Sequence, residues 1–252
     1  MAGPAYVVTN LLSASVTFTP SSTIDTVYTL ANLYDGRQNK PCRFGANSFT
    51  LLMDFGSPVA LTFVGLIKHN ATSAIANMSM VSGTTSAVNN GIDQAITWAT
   101  KNIYQTFTGT YRYWRLWMDD PTNPDDLEMG ELYMAVHTTL SQNFAYGWEQ
   151  GLVDTNDEHM TEFGTKTVYE KYEIETRRFP FVNRTATLRD ELKTLWQATK
   201  RNVTPLVLVP DLTANVCLFG RLVNNFGAQN VPHIYYSSGI EFAEEAPGVT
   251  LT

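Results

Sequence analysis

The sequence is poor in charge, in cysteine and in histidine, and each shortage argues against a class of protein. Charged residues make up 16% of the chain, below the roughly 25% typical of soluble domains. The two cysteines, Cys42 and Cys217, have no CxxC spacing and are predicted to be reduced thiols. The four histidines show no HxH or HExxH spacing, and no GxSxG, P-loop or GxGxxG stretch is present. The sequence therefore predicts a protein that is not an enzyme.

Long basic runs and long apolar runs are also missing. The densest cationic stretch is 176–178, and the net charge is −7, whereas nucleic-acid binding requires a basic patch or stripe. No apolar run approaches the ~20 residues that span a bilayer. Residues 1–6 lack the charged start and apolar core of a signal peptide. We expect no nucleic-acid partner and no membrane insertion.

The chain is instead rich in the residues of pleated sheet, with 12% aromatics and many threonines and valines. Period-two alternation marks the segments 15–19, 50–55, 59–67 and 111–118, and turn residues such as those at 56–58 separate them. In the segment 111–118 both faces carry large side chains: Trp114, Leu116 and Met118 on one, and Tyr111, Tyr113, Arg115 and Trp117 on the other. We expect one face to be core and the other to lie against a loop or a partner.

The pattern changes between about residues 137 and 151, which predicts a domain boundary. After it come a predicted strand at 166–175 with a bulge near Glu170, an apolar helical stripe from Leu188 to Trp196 with Thr187 as its N-cap, and further strands at 205–210, 215–223 and 232–237. The prediction is a mainly β protein with a jelly-roll β-sandwich at residues 1–137. Residues 138–252 form a β-rich domain with one amphipathic helix.

Five segments in order carry a resemblance to a known family. They are Val16-Thr17-Phe18-Thr19-Pro20-Ser21-Ser22, Leu30-Ala31-Asn32-Leu33-Tyr34-Asp35-Gly36-Arg37, Asp54-Phe55-Gly56, Arg112-Tyr113-Trp114-Arg115-Leu116 and Glu128-Met129-Gly130-Glu131-Leu132. Together they resemble a galactose-binding-like domain of the discoidin type over roughly residues 10–136. With 65–70 after the third segment, this half is similar to domains of tailed-bacteriophage tail and tail-tip proteins. The second half is similar to phage distal-tail or baseplate adaptor domains.

The resemblance implies a virion structural protein, made in the host cytoplasm and assembled with itself and other tail proteins as a ring-forming adaptor. Fold analogy alone is a weak warrant for function, so two alternatives stay open. One is a carbohydrate-binding decoration or receptor-binding protein that contacts host surface glycans. The other is the accessory domain of a glycan hydrolase.

Candidate residues follow from each hypothesis. A sugar site in the sandwich loops would use Tyr34, Arg37, Arg43, His69 and Trp98, which are otherwise ordinary loop and core residues. An assembly interface would use Trp117, Arg177 and Arg178. Acids cluster at Asp119, Asp120, Asp125, Asp126 and Glu128, which predicts a solvated acidic loop and leaves a structural calcium ion open. No catalytic residue, cofactor or metal ligand is assigned.

Overall fold

A computed structural model describes residues 3–145, 148–154, 157–160, 166–169, 173–200, 203–213, 217–224, 226–231 and 235–244. The chain divides into two compact units. The sandwich unit consists of Ala5–Thr138 and Val207–Leu218, and the second unit consists of Met1–Pro4, Thr139–Leu206 and Phe219–Thr252. The division of function between residues 1–137 and 138–252 stays a prediction.

The elements are almost all strands, so the predicted mainly β class with one helix is confirmed. The first half contains β1 Ala5–Val7, β2 Thr17–Pro20, a 3-10 helix Leu30–Leu33, β3 Cys42–Arg43, β4 Ser48–His69, β5 Asn77–Gly83, β6 Asp93–Ala95, β7 Asn102–Asp119, β8 Glu128–Ala135 and β9 Thr138–Thr139. The second half contains β10 Glu149–Asp154, β11 Asp157–Met160, β12 Lys166–Tyr169, β13 Glu173–Arg184, α1 Ala186–Ala198, β14 Leu206–Val209, β15 Leu218–Leu222, β16 Gln229–Val231 and β17 Tyr235–Glu244.

The long antiparallel pair of β4 and β7 organises the sandwich unit. The pair runs from Ser48 opposite Asp119 to Ile67 opposite Asn102, with register shifts on the way. At one end β2 and β5 flank it, with β6 beyond β5; at the other end β8 flanks β4, with β3 beyond β8. The same two strands therefore take part in both layers of the sandwich.

A bulge in β4 separates its two halves. Between Asp54 and Val59 the four residues 55–58 lie opposite a single residue of β7. Gly56 has a φ of +75°, which is a region that glycine adopts without steric cost, and its N–H donates to Asp54 Oδ1 at 2.8 Å. The turn signal at 56–58 therefore marks a bulge inside one strand, and the prediction of two separate strands here is wrong.

The two faces of β7 behave differently, as its alternation predicts. Trp114, Leu116 and Met118 are fully buried in the core, where Trp114 packs against Phe107 and Tyr111. Its Nε1 donates to the Tyr111 carbonyl at 3.0 Å, so its polar atom is satisfied. On the other face, Trp117 is 38% exposed. Tyr111 packs against the core, so its predicted place on the face of Trp117 is wrong.

A segment from late in the sequence belongs to the sandwich unit. β1 pairs antiparallel with β14, with Tyr6 opposite Leu208. The Tyr104 hydroxyl donates to the Asp211 carbonyl at 3.2 Å, and Asn102 Nδ2 donates to the Cys217 carbonyl at 3.3 Å. Cys217 and Cys42 are both buried, and no disulfide joins them; their reduced state stays a prediction.

The second unit is built on β13 and β17. β13 pairs with β10 on one side and β17 on the other, and β17 also pairs with β15 and β16. β11 and β12 form a two-stranded sheet. The predicted bulge near Glu170 and part of the predicted strand 232–237 lie outside the described residues.

The helix begins earlier than the sequence predicts. Thr185 is the N-cap, since its backbone is extended and its side chain accepts from the Leu188 N–H. Thr187 lies inside the helix, so its prediction as the cap is wrong, and the acids Asp190 and Glu191 fall beyond the first turn. The apolar stripe of Leu188, Leu192 and Leu195 is buried, as predicted. Within the described residues, no helix combines the length and apolar character that crossing a membrane requires.

The opposite faces of β7 give a test of this layering. Trp114→Ala removes a fully buried indole from the core, so we expect it to lower the free energy of unfolding by about 3–5 kcal/mol. Trp117→Ala, on the exposed face of the same strand, should lower it by less than about 1 kcal/mol. Urea unfolding followed by circular dichroism measures both, and equal losses would contradict the assignment of the faces.

Candidate functional site

A groove of about 500 Å³ lies on the outer face of the sandwich unit, over β5, β6 and the end of β7. Two indoles, Trp98 and Trp117, line it together with polar side chains. The remaining lining residues are Ser73, Ile75, Ala76, Asn77, Met78, Ser79, Val81, Asp93, Ala95, Ile96 and Arg115. A concave surface with aromatic walls and a few polar groups is the usual form of a small-ligand site.

Strand register places the groove residues in two rows. In one row Trp117 lies opposite Ser79, which lies opposite Ala95. In the next row Arg115 lies opposite Val81, which lies opposite Asp93. Since side chains two apart on a strand share a face, Trp117 and Arg115 point outward side by side.

The Trp98 wall is held by hydrogen bonds on the segment between β6 and β7. Its Nε1 donates to the Ala71 carbonyl at 2.9 Å, and the half-buried indole also packs against the core of the sandwich unit. Nearby, the Ile96 N–H donates to the Met78 carbonyl at 2.7 Å. These bonds fix the indole against the start of β5, so this part of the groove is preformed.

Beside the groove, hydrogen bonds order the acidic loop, and the prediction that it is solvated is wrong for Asp120. Asp120 is fully buried, and its carboxylate accepts from the Thr72 N–H at 2.7 Å and the Thr72 hydroxyl at 3.0 Å. Asn123 Nδ2 donates to the Asn70 carbonyl at 3.1 Å. Among the residues that the structure describes, no group of three or more His, Cys, Asp or Glu side chains is placed to hold a metal ion. A structural calcium ion stays a prediction.

Two of the residues predicted to bind sugar make close contacts within the chain. Tyr34 is half-buried and stacks on Phe18, with ring centroids 5.8 Å apart. The Arg43 guanidinium forms an ion pair with Glu128 at 2.5 Å and lies over the Tyr28 ring at 4.6 Å. Neither lines the groove.

Arg37 takes part in a different arrangement through its backbone. The Arg37 N–H donates to Asp35 Oδ1 at 2.9 Å and to Glu131 Oε1 at 2.6 Å, and Gly36 in the same turn has a φ of +79°. Glu131 is 1% exposed. Burial raises the pKa of Glu131 to about 8. The charge of the nearby Asp35 acts in the same direction, and the hydrogen bonds from this turn act against it. The turn therefore covers a buried acid.

His69, at the end of β4, is also enclosed. It is 9% exposed, and the Ala99 backbone is close enough to its ring to oppose the effect of burial on its pKa. Burial lowers the pKa of His69 to about 4, so the ring is neutral near pH 7. Of the five residues predicted to bind sugar, the groove includes Trp98, and the role of all five stays a prediction.

The residues predicted to form an interface lie apart in the chain. Trp117 lines the groove. In the second unit, Arg177 lies 2.7 Å from Glu175 and over the Trp148 ring at 5.3 Å. Arg178 is exposed and lies 3.7 Å from both Glu149 and Glu241. The two arginines thus have partners within the chain, and their part in an interface stays a prediction.

Arg115 and Asp93 line the groove, and neither is among the site residues predicted from the sequence. The alternation in 111–118 places Arg115 on the same face as Trp117, which was a usable signal. Asp93 had none, because only the pairing of β6 with β5 brings it to this face.

No protein-family model and no curated protein matches the chain. The chain is similar to chitosan-binding module 2 of a chitosanase/glucanase from Paenibacillus sp. IK-5, solved in complex with chitotriose, with 14% identity and a TM-score of 0.39 over 48% of this chain and 96% of that one. It is also similar to CpGH89CBM32-5 from Clostridium perfringens, in complex with GalNAc-β-1,3-galactose, with 13% identity and a TM-score of 0.39 over 48% and 96%. CpGH89CBM32-6, produced by Clostridium perfringens, has 13% identity and a TM-score of 0.38 over 51% and 99%. Chitotriose and GalNAc-β-1,3-galactose are ligands of those two solved structures.

The buried Glu131 predicts a pH dependence of stability. Folding raises the pKa of Glu131 from 4.5 to about 8. The contribution of its protonated form to the free energy of unfolding is therefore complete below the pKa of the unfolded chain, and it is lost as the pH rises through the pKa of the folded chain. Lowering the pH from about 8.5 to about 6.5 should therefore raise the free energy of unfolding by about 2 kcal/mol. His69 titrates mostly below this pH interval, so Glu131 accounts for most of the expected change.

Glu131→Gln is the matched control, since the amide can replace a protonated carboxyl in the same hydrogen bonds. We expect the pH-dependent gain to disappear in this variant. Urea unfolding of both proteins at the two pH values measures the difference, and an equal gain in both would refute the assignment.

Proposed function

We propose that the chain is a non-catalytic carbohydrate-binding protein and that its sugar lies in the groove between Trp98 and Trp117. One observation carries this proposal. The groove has a volume of about 500 Å³ and combines two indoles with polar side chains. Trp117 is 38% exposed, although Leu116 and Met118 beside it in the strand are fully buried.

A sugar has the chemistry that such a surface accommodates. A pyranose ring offers an apolar face of C–H groups and a rim of hydroxyls, and an indole offers a large rigid apolar face at low entropic cost. Ser79, Asn77 and Asp93 supply hydroxyl, amide and carboxylate groups beside the indoles. A nucleic acid would also stack on indoles, but the net charge of −7 opposes a polyphosphate.

Substitution of Trp117 tests this function. We expect Trp117→Ala to weaken glycan binding about fivefold or more, because stacking on an aromatic ring contributes on the order of 1–3 kcal/mol. A glycan array identifies a ligand for the wild-type protein, and isothermal titration calorimetry then compares the variants.

Trp148→Ala provides a matched control, since Trp148 is 42% exposed but lies in the second unit. It should bind the ligand as the wild type does, and circular dichroism should find all three proteins folded. Absence of any glycan ligand on a broad array would refute the proposal, as would undiminished binding by Trp117→Ala.

A second candidate function is the assembly of a virion tail, in which the chain is a ring-forming adaptor in the tail tip or baseplate. The supporting observation is an open sheet edge in the second unit. β10 pairs with β13 on one side, and no described strand pairs with its other side. Leu152 and Val153 on this strand are 65% and 48% exposed. An exposed apolar edge strand is a template for pairing with another chain.

This candidate predicts self-association through β10. Leu152→Lys places a charge on the edge strand, so we expect it to shift an oligomer towards the monomer in sedimentation velocity. Val203→Lys is the matched control, because Val203 is also 65% exposed and lies outside any strand. A wild-type protein that stays monomeric at its highest soluble concentration would contradict the ring, and an equal effect of both variants would contradict the role of β10.

A further inference from the structure

Two arginines of the sandwich unit, Arg112 and Arg43, form ion pairs, whereas Arg115 does not form one with any described residue. Arg112 forms two hydrogen bonds with the Asp54 carboxylate, at 2.7 and 2.8 Å, and Arg43 pairs with Glu128 at 2.5 Å. The guanidinium of Arg115 has no ion pair with any described residue, and its Nε is buried without a hydrogen-bond partner. The groove thus contains a cation with which no described carboxylate forms an ion pair.

The surroundings of Arg115 make this lack of a partner costly. Its neighbours across the strands are Val81, which is 8% exposed, and Leu52, which is half-buried. Asp93 lies in the same row, but Val81 separates it from Arg115. A partly desolvated cation without a counter-charge is unfavourable, so an anion that enters the groove would relieve this cost.

We infer that the groove binds an acidic saccharide, with a sugar carboxylate paired to Arg115 and the ring stacked on Trp117. The inference rests on the proposed carbohydrate-binding function and names its ligand class. Side chains two apart on a strand stand about 7 Å from each other, which suits a ring and its exocyclic carboxylate. The planar guanidinium fork matches a carboxylate in two parallel hydrogen bonds.

Matched ligand pairs that differ in charge test the ligand class. The first pair is an oligogalacturonide and its methyl ester, and the second is sialyllactose and the methyl ester of its sialic acid. We expect the acidic member of at least one pair to bind about tenfold or more tightly, because hydrogen bonds to charged groups contribute more than neutral ones. Added salt should weaken the binding of the acidic ligand and leave the binding of the neutral ligand nearly unchanged.

Two variants assign the preference to Arg115. Arg115→Gln removes the charge, so we expect it to abolish the difference between acidic and neutral ligands. Arg115→Lys keeps the charge but lacks the fork, so we expect an intermediate preference. If Arg115→Gln does not fold, the lysine variant and the wild-type ligand pairs still decide the result.

The outcomes separate this inference from the function on which it rests. If neutral glycans bind in the groove as tightly as acidic ones in both pairs, the acidic class is wrong while carbohydrate binding stands. A preference that survives in Arg115→Gln would also overturn the inference. If no glycan of either charge binds the wild-type protein, the proposed function itself fails.

Discussion

The bulge in β4 is the constraint on which the rest of the sandwich unit depends. Four residues of β4 lie opposite one residue of β7 at this point, and such an irregularity bends a strand and increases its twist. The bend lets one strand pair serve both layers, with β2 and β5 at one end and β8 at the other. Arg115 and Trp117 lie on one side of this bulge, on the part of β7 that pairs with β5.

Much of the fold could be predicted because it depends on local alternation. The period-two pattern of 111–118 correctly separates Trp114 from Trp117, and the helical stripe correctly gives the buried face of α1. The errors are also local in origin. Residues 56–58 were predicted to be a turn because glycine and proline favour turns and bulges alike. Thr187 was predicted to be the N-cap because residue type alone does not distinguish it from Thr185.

The candidate site could be predicted only in part, because its contacts join residues that are distant in sequence. Glu128 pairs with Arg43 across 85 positions, and Glu131 accepts from the Arg37 N–H across 94 positions. An arginine or a tyrosine in a loop has the same appearance in the sequence whether it contacts a sugar or a neighbouring strand. Trp98 and Trp117 are 19 positions apart in the printed sequence, and the pairing of β5 with β7 and β6 brings their segments to one surface.

An acidic ligand for an acidic protein is physically consistent when the range of the forces is compared. The net charge of −7 acts over distances that salt screens to about 8 Å under physiological conditions. A contact between Arg115 and a carboxylate acts within hydrogen-bond distance, where the half-buried guanidinium is screened much less. The chain's net charge would therefore slow the approach of an acidic glycan and hardly weaken the bound pair. Selectivity would then reside in the dissociation rate, because short-range contacts control release.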